Sequence, residues 1–215
     1  MTNTQNDVAR ALLAIGAVGF TPASPITFKS GILSPVYVDN RRLPFWPDQW
    51  RIVIQGFQKA INDNQIEFDV IAGIEAAGIP HSAALGYELG RPSVFVRKQA
   101  KEHGTRSRVE GGDVAGRRVL LVEDLVTTGG SSLAGVEALR QDSATVQNCL
   151  AIISYGFEEA RQAFEHADVR LHTLTTFEEI LQQAGESGRL GQADLAMIRD
   201  WLDDPHDWAE RRGLA

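Results

Sequence analysis

The chain of 215 residues lacks the features that mark several classes of protein. It has one cysteine, Cys149, so an internal disulfide framework is excluded, and a lone thiol suits a reducing compartment. No apolar run approaches the ~20 residues that a membrane span needs. The polar segment 1–10 has no apolar stretch typical of a secretory signal. These absences predict a cytoplasmic protein with no membrane partner.

Positive charge is also scarce. Lysine and arginine number 21 against 28 acidic residues, and the formal net charge is −7. A field of this sign disfavours non-specific binding to nucleic acid, so no nucleic-acid partner is expected. The composition, 43% hydrophobic and 23% charged, is that of an ordinary globular protein. The length suits one domain with a small appendage.

Apolar runs of strand length alternate with helical segments through the middle of the chain. Strands are predicted at 68–72, 93–96, 118–122, 146–154 and 169–174, and helices at 47–61, 79–89 and 131–140. This alternation predicts an α/β fold with a mostly parallel sheet flanked by helices. Residues 5–18 predict an amphipathic helix, and 26–29 with 35–39 suit a hairpin. Residues 98–116 have few apolar anchors, which is typical of a functional loop or a disordered segment.

The most informative segment is 119–132, Val-Leu-Leu-Val-Glu-Asp-Leu-Val-Thr-Thr-Gly-Gly-Ser-Ser. Glu123 and Asp124 follow a buried strand at its carboxyl end, where open α/β sheets bind ligands. Residues 127–131 then lead into a helix, whose N–H groups and positive dipole end suit a phosphate. Acids repel phosphate but accept hydrogen bonds from vicinal hydroxyls, so the combination predicts a ribose 5-phosphate site. The alternative is an ordinary strand–turn–helix with solvated acids.

Three further segments carry candidate functional residues. Residues 95–104 place Arg97, Lys98, Lys101 and His103 within seven positions, which predicts a clamp for a strongly anionic group such as pyrophosphate. The alternative is a solvated basic loop. Residues 28–39 contain a Lys-Ser-Gly turn that projects Lys29, although an exposed surface lysine would look the same. Residues 72–80 are a glycine-containing connection between a strand and a helix.

Together these segments resemble the motifs of orotate phosphoribosyltransferases, a type I phosphoribosyltransferase family, over roughly residues 5–175. Segment 119–132 resembles their site for 5-phosphoribosyl-1-pyrophosphate (PRPP). Segment 95–104 resembles their mobile catalytic loop, and segment 28–39 resembles their N-terminal hood. The resemblance implies transfer of the phosphoribosyl group from PRPP to orotate, giving orotidine 5′-monophosphate (OMP) and pyrophosphate, in de novo UMP synthesis. It also implies Mg²⁺ held mainly through PRPP, and a cytoplasmic homodimer with shared active sites.

The resemblance also assigns roles to individual residues. Lys101 and Asp124 are the expected catalytic residues, and Lys29 and Thr127 are the expected contacts to orotate. The expected PRPP-binding residues are Arg97, Lys98, Lys101, His103, Glu123, Asp124, Leu125, Val126, Thr127, Thr128, Gly129, Gly130 and Ser131. The implied division of the chain is a hood at 1–45, an α/β PRPP-binding core at 46–175, and C-terminal helices with a tail at 176–215.

The chain departs from the family pattern where the base is expected to bind. Some members carry Phe-Phe where this chain has Tyr37 and Val38, and Tyr-Lys where it has Ala76 and Ala77. Some carry an arginine, used on the orotate carboxylate, where this chain has Phe157. Two other functions therefore stay open. One is phosphoribosyl transfer to another base, and the other is a non-catalytic PRPP-binding regulator.

Some conspicuous residues receive no functional role. The histidines His81, His166, His172 and His206 lack metal-ligand spacing, and we expect them to be surface or hydrogen-bonded residues. Trp201 and Trp208 are expected to anchor the C-terminal segment against the body of the protein.

Overall fold

The computed structural model describes residues 2–28, 30–99 and 107–214. Its N-terminal part consists of α1 (Thr2–Ala14) and the strands β1 (Val18–Phe20), β2 (Ile26–Thr27), β3 (Leu33–Ser34) and β4 (Val36–Val38). Strands β1 and β4 pair antiparallel, as do β2 and β3. These four strands form two small two-stranded sheets beside the main sheet.

The predicted hairpin between 26–29 and 35–39 was therefore wrong in its pairing. The turn is tighter than expected, because the Phe28 N–H donates to the Ile32 carbonyl at 2.8 Å. Gly31 permits this turn with a φ of +88°. Pro35, which has no N–H to donate, follows β3, and the chain then changes partner. Residues 36–38 consequently pair with β1 instead of β2.

A 3₁₀ helix at Asn40–Phe45 connects this part to α2 (Pro47–Asp63). Helix α2 starts with Pro47, whose fixed φ and missing N–H suit the first helical position. The bounds agree with the predicted helix at 47–61. The N-terminal helix was predicted at 5–18, whereas α1 starts and ends earlier because residues 18–20 join β1.

The main sheet has six strands: β5 (Val70–Ile74), β6 (Ser93–Val96), β7 (Val109–Glu110), β8 (Arg118–Val126), β9 (Thr145–Ser154) and β10 (Arg170–Thr176). Their spatial order is β10-β9-β8-β5-β6-β7, and only β7 at one edge is antiparallel to its neighbour. The predicted α/β fold with a mostly parallel sheet is confirmed. Strand β7 lies inside the segment 98–116, for which no strand was predicted.

Helices cover both faces of this sheet, as a parallel sheet requires. They are α3 (Gly78–Leu89), α4 (Gly130–Gln141), α5 (Glu158–His166), α6 (Phe177–Glu186), α7 (Gln192–Asp203) and the short α8 (Trp208–Arg211). Two hydrophobic clusters result. One includes α1, α2, α6 and α7, and the other lies around α4 and α5. No helix within the described ranges is long and apolar enough to cross a membrane.

The C-terminal helices pack against the N-terminal part of the chain. Trp201 and Trp208 are fully buried. The indole N–H of Trp201 donates to the Leu33 carbonyl oxygen at 2.9 Å, so α7 contacts the β2–β3 hairpin directly. The predicted anchoring by these two tryptophans is confirmed. Cys149 is buried within β9 and is free.

Candidate active site

The two acidic residues Glu123 and Asp124, called the acid pair below, lie inside strand β8 near the centre of the sheet. Strand β8 was expected to end at Val122, but it continues to Val126 because β9 pairs with it as far as Ser154. Glu123 and Asp124 therefore occupy the carboxyl-terminal part of a strand that has neighbours on both sides. This position fixes their main chain more firmly than a loop would.

A cavity of about 290 Å³ opens beside the end of β8. It is lined by eight consecutive residues, 125–132, together with Phe28 and Ser30 from the N-terminal part. The predicted PRPP contacts at 125–131 thus line the same cavity as Phe28 and Ser30, which belong to a turn within the predicted hood. The predicted base side and the predicted phosphate side of the site face the same space.

The turn between β8 and α4 depends on glycine. Gly129 has a φ of +85°, which disfavours any side chain. A Cβ atom there would also lie 3.1 Å from the Phe164 ring of α5. Helix α4 then begins at Gly130, and the N–H groups of its first turn have no partners within a helix. An anion can accept hydrogen bonds from them and gain from the helix dipole.

The two carboxyl groups influence each other. Burial, with the nearby Asp124 carboxylate, raises the pKa of Glu123 well above its ordinary value. Burial also raises the pKa of Asp124, although a hydrogen bond with Glu123 opposes this. The Ser132 hydroxyl donates to Glu123 Oε2 at 3.3 Å, and the Asp124 N–H donates to Oε1 at 3.1 Å. Glu123 is thus the more enclosed acid, with 5% exposure, and Asp124 is better placed to meet a ligand.

The connection 72–80 packs directly on β8. A Cβ atom on Gly78 would lie 2.6 Å from the Val122 carbonyl oxygen, and one on Gly73 would lie 2.3 Å from the Ser82 hydroxyl. These distances leave no room for a side chain. The glycines therefore allow the connection to lie directly beside the strand that carries the acid pair.

The segment with the predicted cationic residues, 95–104, begins in strand β6 and continues beyond its end, next to the connection 72–80. Arg97 is half-buried, with Nη1 3.6 Å from Glu110 Oε1 on β7, whereas Lys98 is exposed. The Lys98 N–H donates to Glu75 Oε2 at 2.9 Å. The Arg108 guanidinium donates to the Arg97 carbonyl oxygen at 2.7 Å. The start of the predicted catalytic loop is therefore held from both sides, while Lys101 and His103, like Lys29 of the hood, lie outside the described residues.

Sequence reasoning missed two residues that organise this site. Glu75 was noted only as part of a glycine-containing connection, yet its carboxylate accepts a hydrogen bond from the main-chain N–H of Lys98. Asn40 drew no attention, yet its side-chain amide donates to the Asp124 carbonyl oxygen at 2.9 Å. No local pattern marks either contact, because each joins segments far apart in the sequence. The one available signal was a glutamate between Gly73 and Gly78 in a connection that follows a strand.

Two residues that received no functional role from the sequence, Phe157 and His81, are part of the protein core. Phe157 is buried and stacks on Tyr155, with ring centroids 5.5 Å apart. His81 is fully buried, and its Nδ1 accepts a hydrogen bond of 3.0 Å from the Trp50 indole N–H. Burial lowers the pKa of His81 to about 4. His81 is therefore a core residue and not a surface one.

A larger cleft lies between α1 and α2. Its volume is about 460 Å³, and its lining includes Asp7, Arg10 and Lys59. None of the predicted site residues lines it. We place the active site at the smaller cavity because the predicted phosphate cradle, residues 125–131, lines that cavity and Glu123 and Asp124 immediately precede the cradle.

Comparison with known protein families shows the general class of enzyme to which the chain belongs. The Phosphoribosyl transferase domain family matches residues 47–184, a stretch that includes the sheet, the acid pair and the cradle. The chain is thus a phosphoribosyltransferase. It is 38% identical over 206 residues to the orotate phosphoribosyltransferase of Coxiella burnetii, covering 96% of this chain and 99% of that protein. With the Bacillus caldolyticus orotate phosphoribosyltransferase, identity is 40% over 204 residues, covering 95% and 98%. The chain belongs to the orotate phosphoribosyltransferase family.

Solved structures agree with this assignment. The orotate phosphoribosyltransferase of Aeropyrum pernix matches with a TM-score of 0.74 and 31% identity, over 86% of this chain and 99% of that one. The Leishmania donovani UMP synthase matches with a TM-score of 0.81 and 26% identity, over 93% of this chain and 42% of that longer one. The resemblance inferred from the motifs is confirmed at the level of family and fold.

Proposed function

We propose that the protein transfers the 5-phosphoribosyl group of PRPP to orotate, giving OMP and pyrophosphate, a step of pyrimidine biosynthesis. One observation carries the assignment of this reaction to the described cavity. The cavity joins Phe28 and Ser30, on either side of the predicted orotate contact Lys29, to the cradle at 125–131. A base bound under the hood and a phosphate bound in the cradle would therefore lie in one cavity, as the transfer of the phosphoribosyl group to the base requires.

The cradle suits the 5-phosphate of PRPP. The main-chain N–H groups at the start of α4, with the hydroxyls of Thr127, Thr128 and Ser131, offer donors to the phosphate oxygens. The preceding Asp124 then accepts hydrogen bonds from the ribose hydroxyls. Glu123, enclosed beside it and with a raised pKa, supports Asp124 by accepting a hydrogen bond from the Asp124 N–H.

Bond cleavage at ribose C1 requires positive groups around the leaving pyrophosphate. As the bond from C1 to the pyrophosphate oxygen breaks, negative charge collects on the pyrophosphate, and the new bond forms from C1 to N1 of orotate. Fixed cations stabilise such a developing charge. Arg97, Lys98, Lys101 and His103 are the residues proposed for this role, with Lys101 as the principal one. Closure of their loop would exclude water that could otherwise hydrolyse PRPP.

Mg²⁺ is the proposed cofactor. The described residues contain no cluster of three histidine, cysteine or acidic side chains that could hold a metal by themselves. Mg²⁺ commonly uses one or two carboxylates together with the phosphate oxygens of a substrate. Asp124, with Glu123 behind it, fits this pattern. When bound, the ion would neutralise charge on the pyrophosphate.

We further propose a cytoplasmic homodimer with shared active sites. Phe45, Trp46 and Tyr87 are exposed by 81%, 40% and 90%, and large exposed aromatic side chains are typical of protein interfaces. The proposed division is a hood at 1–45, a PRPP-binding core at 46–175 and a C-terminal segment at 176–215. The contact between Trp201 and Leu33 supports a C-terminal segment that braces the hood.

The experiment that tests this function is direct. Purified protein with PRPP and Mg²⁺ should consume orotate, and the decrease in orotate absorbance measures this reaction. One pyrophosphate should be released for each OMP formed. Omitting PRPP, chelating Mg²⁺ or introducing Asp124→Asn should abolish the signal. Release of pyrophosphate with another base, but not with orotate, would assign the protein to a different phosphoribosyltransferase reaction. Binding of PRPP without turnover of any base would indicate a regulator.

A further inference from the structure

The orotate half of the site lacks an assigned positive partner within the described residues. Orotate carries a carboxylate, and a carboxylate that leaves water needs a cation or several donors. At the end of β9 the chain offers Tyr155 and Phe157 in an aromatic cluster with Trp201. All three are buried and none is charged. The positive charge must therefore come from another part of the site.

Arg41 is a cation whose neighbour in the sequence contacts the strand that carries the acid pair. Its neighbour Asn40 is fully buried and donates to the Asp124 carbonyl oxygen at 2.9 Å, so this stretch of main chain lies against the acid pair. The Arg41 side chain is 62% exposed, so a ligand can reach it. Burial raises the pKa of Asp124, and the charge of Arg41 acts in the opposite direction. The guanidinium thus lies within electrostatic range of the ribose-binding acid.

The guanidinium is also held in a fixed orientation. Nε donates to Asp39 Oδ1 at 2.5 Å, and Nη2 donates to the Tyr37 hydroxyl at 3.3 Å. An arginine has five N–H donors in a planar fork, so these two contacts leave three for a ligand. Orientation by neighbouring side chains lowers the entropy that is lost when a ligand carboxylate binds. Arg42, by contrast, uses Nη1 on the Gly16 carbonyl oxygen.

We propose that Arg41 binds the carboxylate of orotate and so determines the preference for orotate over bases that lack this group. Asp39 and Tyr37 act as positioning residues for it. The inference rests on the proposed function, because it assumes that orotate binds under the hood. It adds a specificity residue that the sequence motifs did not identify.

The test compares two products that differ by one carboxylate. OMP carries the group and UMP does not, so the ratio of their dissociation constants measures its recognition without requiring turnover. Arg41→Gln should weaken OMP binding by about 10- to 100-fold, the range for a lost hydrogen bond to a charged group. UMP and PRPP should bind it almost as they bind the wild type. Arg41→Lys should restore part of the preference for OMP, and Arg42→Gln should leave the preference unchanged.

The outcomes separate the two proposals. If Arg41→Gln weakens the binding of OMP and of UMP to the same extent, or leaves both affinities unchanged, Arg41 does not recognise the carboxylate. The proposed transfer to orotate is not contradicted by that result. Unchanged PRPP binding shows that the variant has an intact site. If the wild-type protein binds PRPP but neither turns over orotate nor prefers OMP to UMP, the proposed function fails, and the role of Arg41 fails with it.

Discussion

The side-chain amide of Asn40 donates a hydrogen bond of 2.9 Å to the main-chain carbonyl oxygen of Asp124, across 84 positions of the sequence. Asn40 is fully buried, and its Oδ1 has no hydrogen-bond partner within the part of the chain that the structure describes. The bond joins the 3₁₀ helix at the end of the proposed hood to the strand that carries the acid pair. Hood and acid pair are therefore mechanically connected.

Removing this bond should destabilise the protein and displace the acid pair. We expect Asn40→Ala to lower the free energy of unfolding by about 1–3 kcal/mol, because a buried carbonyl loses its donor. The matched control is Asn64→Ala. Its side chain makes a similar bond of 2.8 Å to the Ala60 carbonyl oxygen, but on the surface, and it should cost less than about 0.5 kcal/mol. Denaturant titration of both variants measures the difference.

Activity provides a second measurement on the same pair of variants. Asn40→Ala should lower kcat/KM for PRPP under conditions where the protein is fully folded, whereas Asn64→Ala should not. Equal stability and equal kinetics of the two variants would show that the contact between Asn40 and Asp124 has no positioning role.

Gly78 should tolerate no side chain. In Gly78→Ala the added Cβ would lie 2.6 Å from the Val122 carbonyl oxygen, so either α3 or β8 must move. Overpacking of this kind costs about 1–3 kcal/mol. Gly191→Ala is the control, since no atom lies within 4 Å of its Cβ position and its φ is −76°. Thermal unfolding should separate the two, and a Gly78→Ala variant as stable as Gly191→Ala would contradict the close approach.

The parts of the fold that follow local rules were predictable. The strand at 118–122, the glycine turn and α4 all follow from a buried apolar run next to glycines and a helix start, whereas the extension of the strand to Val126 depends on its pairing with β9. The pairing of β1 with β4 was not predictable, because strands of two or three residues carry almost no periodic pattern. Their partners are chosen by the turn at Gly31 and by the missing donor of Pro35, and both effects appear only when the chain is folded.

The same distinction holds for the site. The cradle at 125–131 is one continuous segment, so its composition indicates its chemistry. Glu75 and Asn40 act through single contacts to Lys98 and Asp124, which lie 23 and 84 positions away. No spacing rule connects such pairs. The assignment of Lys29, Lys101 and His103 rests on motif resemblance, and it stays a prediction.

His81 should make stability depend on pH. Its pKa is lowered by burial from 6.5 to about 4, so between these values the unfolded chain binds more protons than the folded one. The contribution of neutral His81 is fully present above pH 6.5 and is lost as the pH falls toward 4. With 1.36 kcal/mol for each pKa unit, the loss is about 3 kcal/mol.

The variant His81→Gln has no titrating group at this position and should lack that part of the pH dependence. Denaturant titrations at neutral pH and near pH 4.5 give the difference in stability between wild type and variant. This difference should change with pH by about 2–3 kcal/mol. His166→Gln alters an exposed histidine and should leave the pH dependence as it is in the wild type. A constant difference for His81→Gln would mean that His81 does not lose its charge on folding.

Lys101 should matter most at the transition state. If its charge acts when pyrophosphate leaves, as proposed, Lys101→Ala should lower kcat far more than it weakens PRPP binding. Loss of one such donor typically costs about 10²–10³ in rate. Lys59→Ala, which removes an exposed lysine paired with Asp63 on α2, should have no effect on kcat. A kcat for Lys101→Ala within a few-fold of the wild type would remove its assigned role.

A mixture of two inactive variants tests whether Lys101 acts in the neighbouring subunit. Homodimers of Lys101→Ala and of Asp124→Asn should each be nearly inactive. If Lys101 serves the site of the other subunit, a mixed dimer has one site with both defects and one site with neither. Random exchange makes about half of the dimers mixed, so roughly a quarter of wild-type activity should return. If Lys101 serves its own subunit, every site carries a defect, and activity stays flat even when mass measurement confirms subunit exchange. A flat result would exclude action across the interface and would not contradict the proposal that PRPP binds at the cradle.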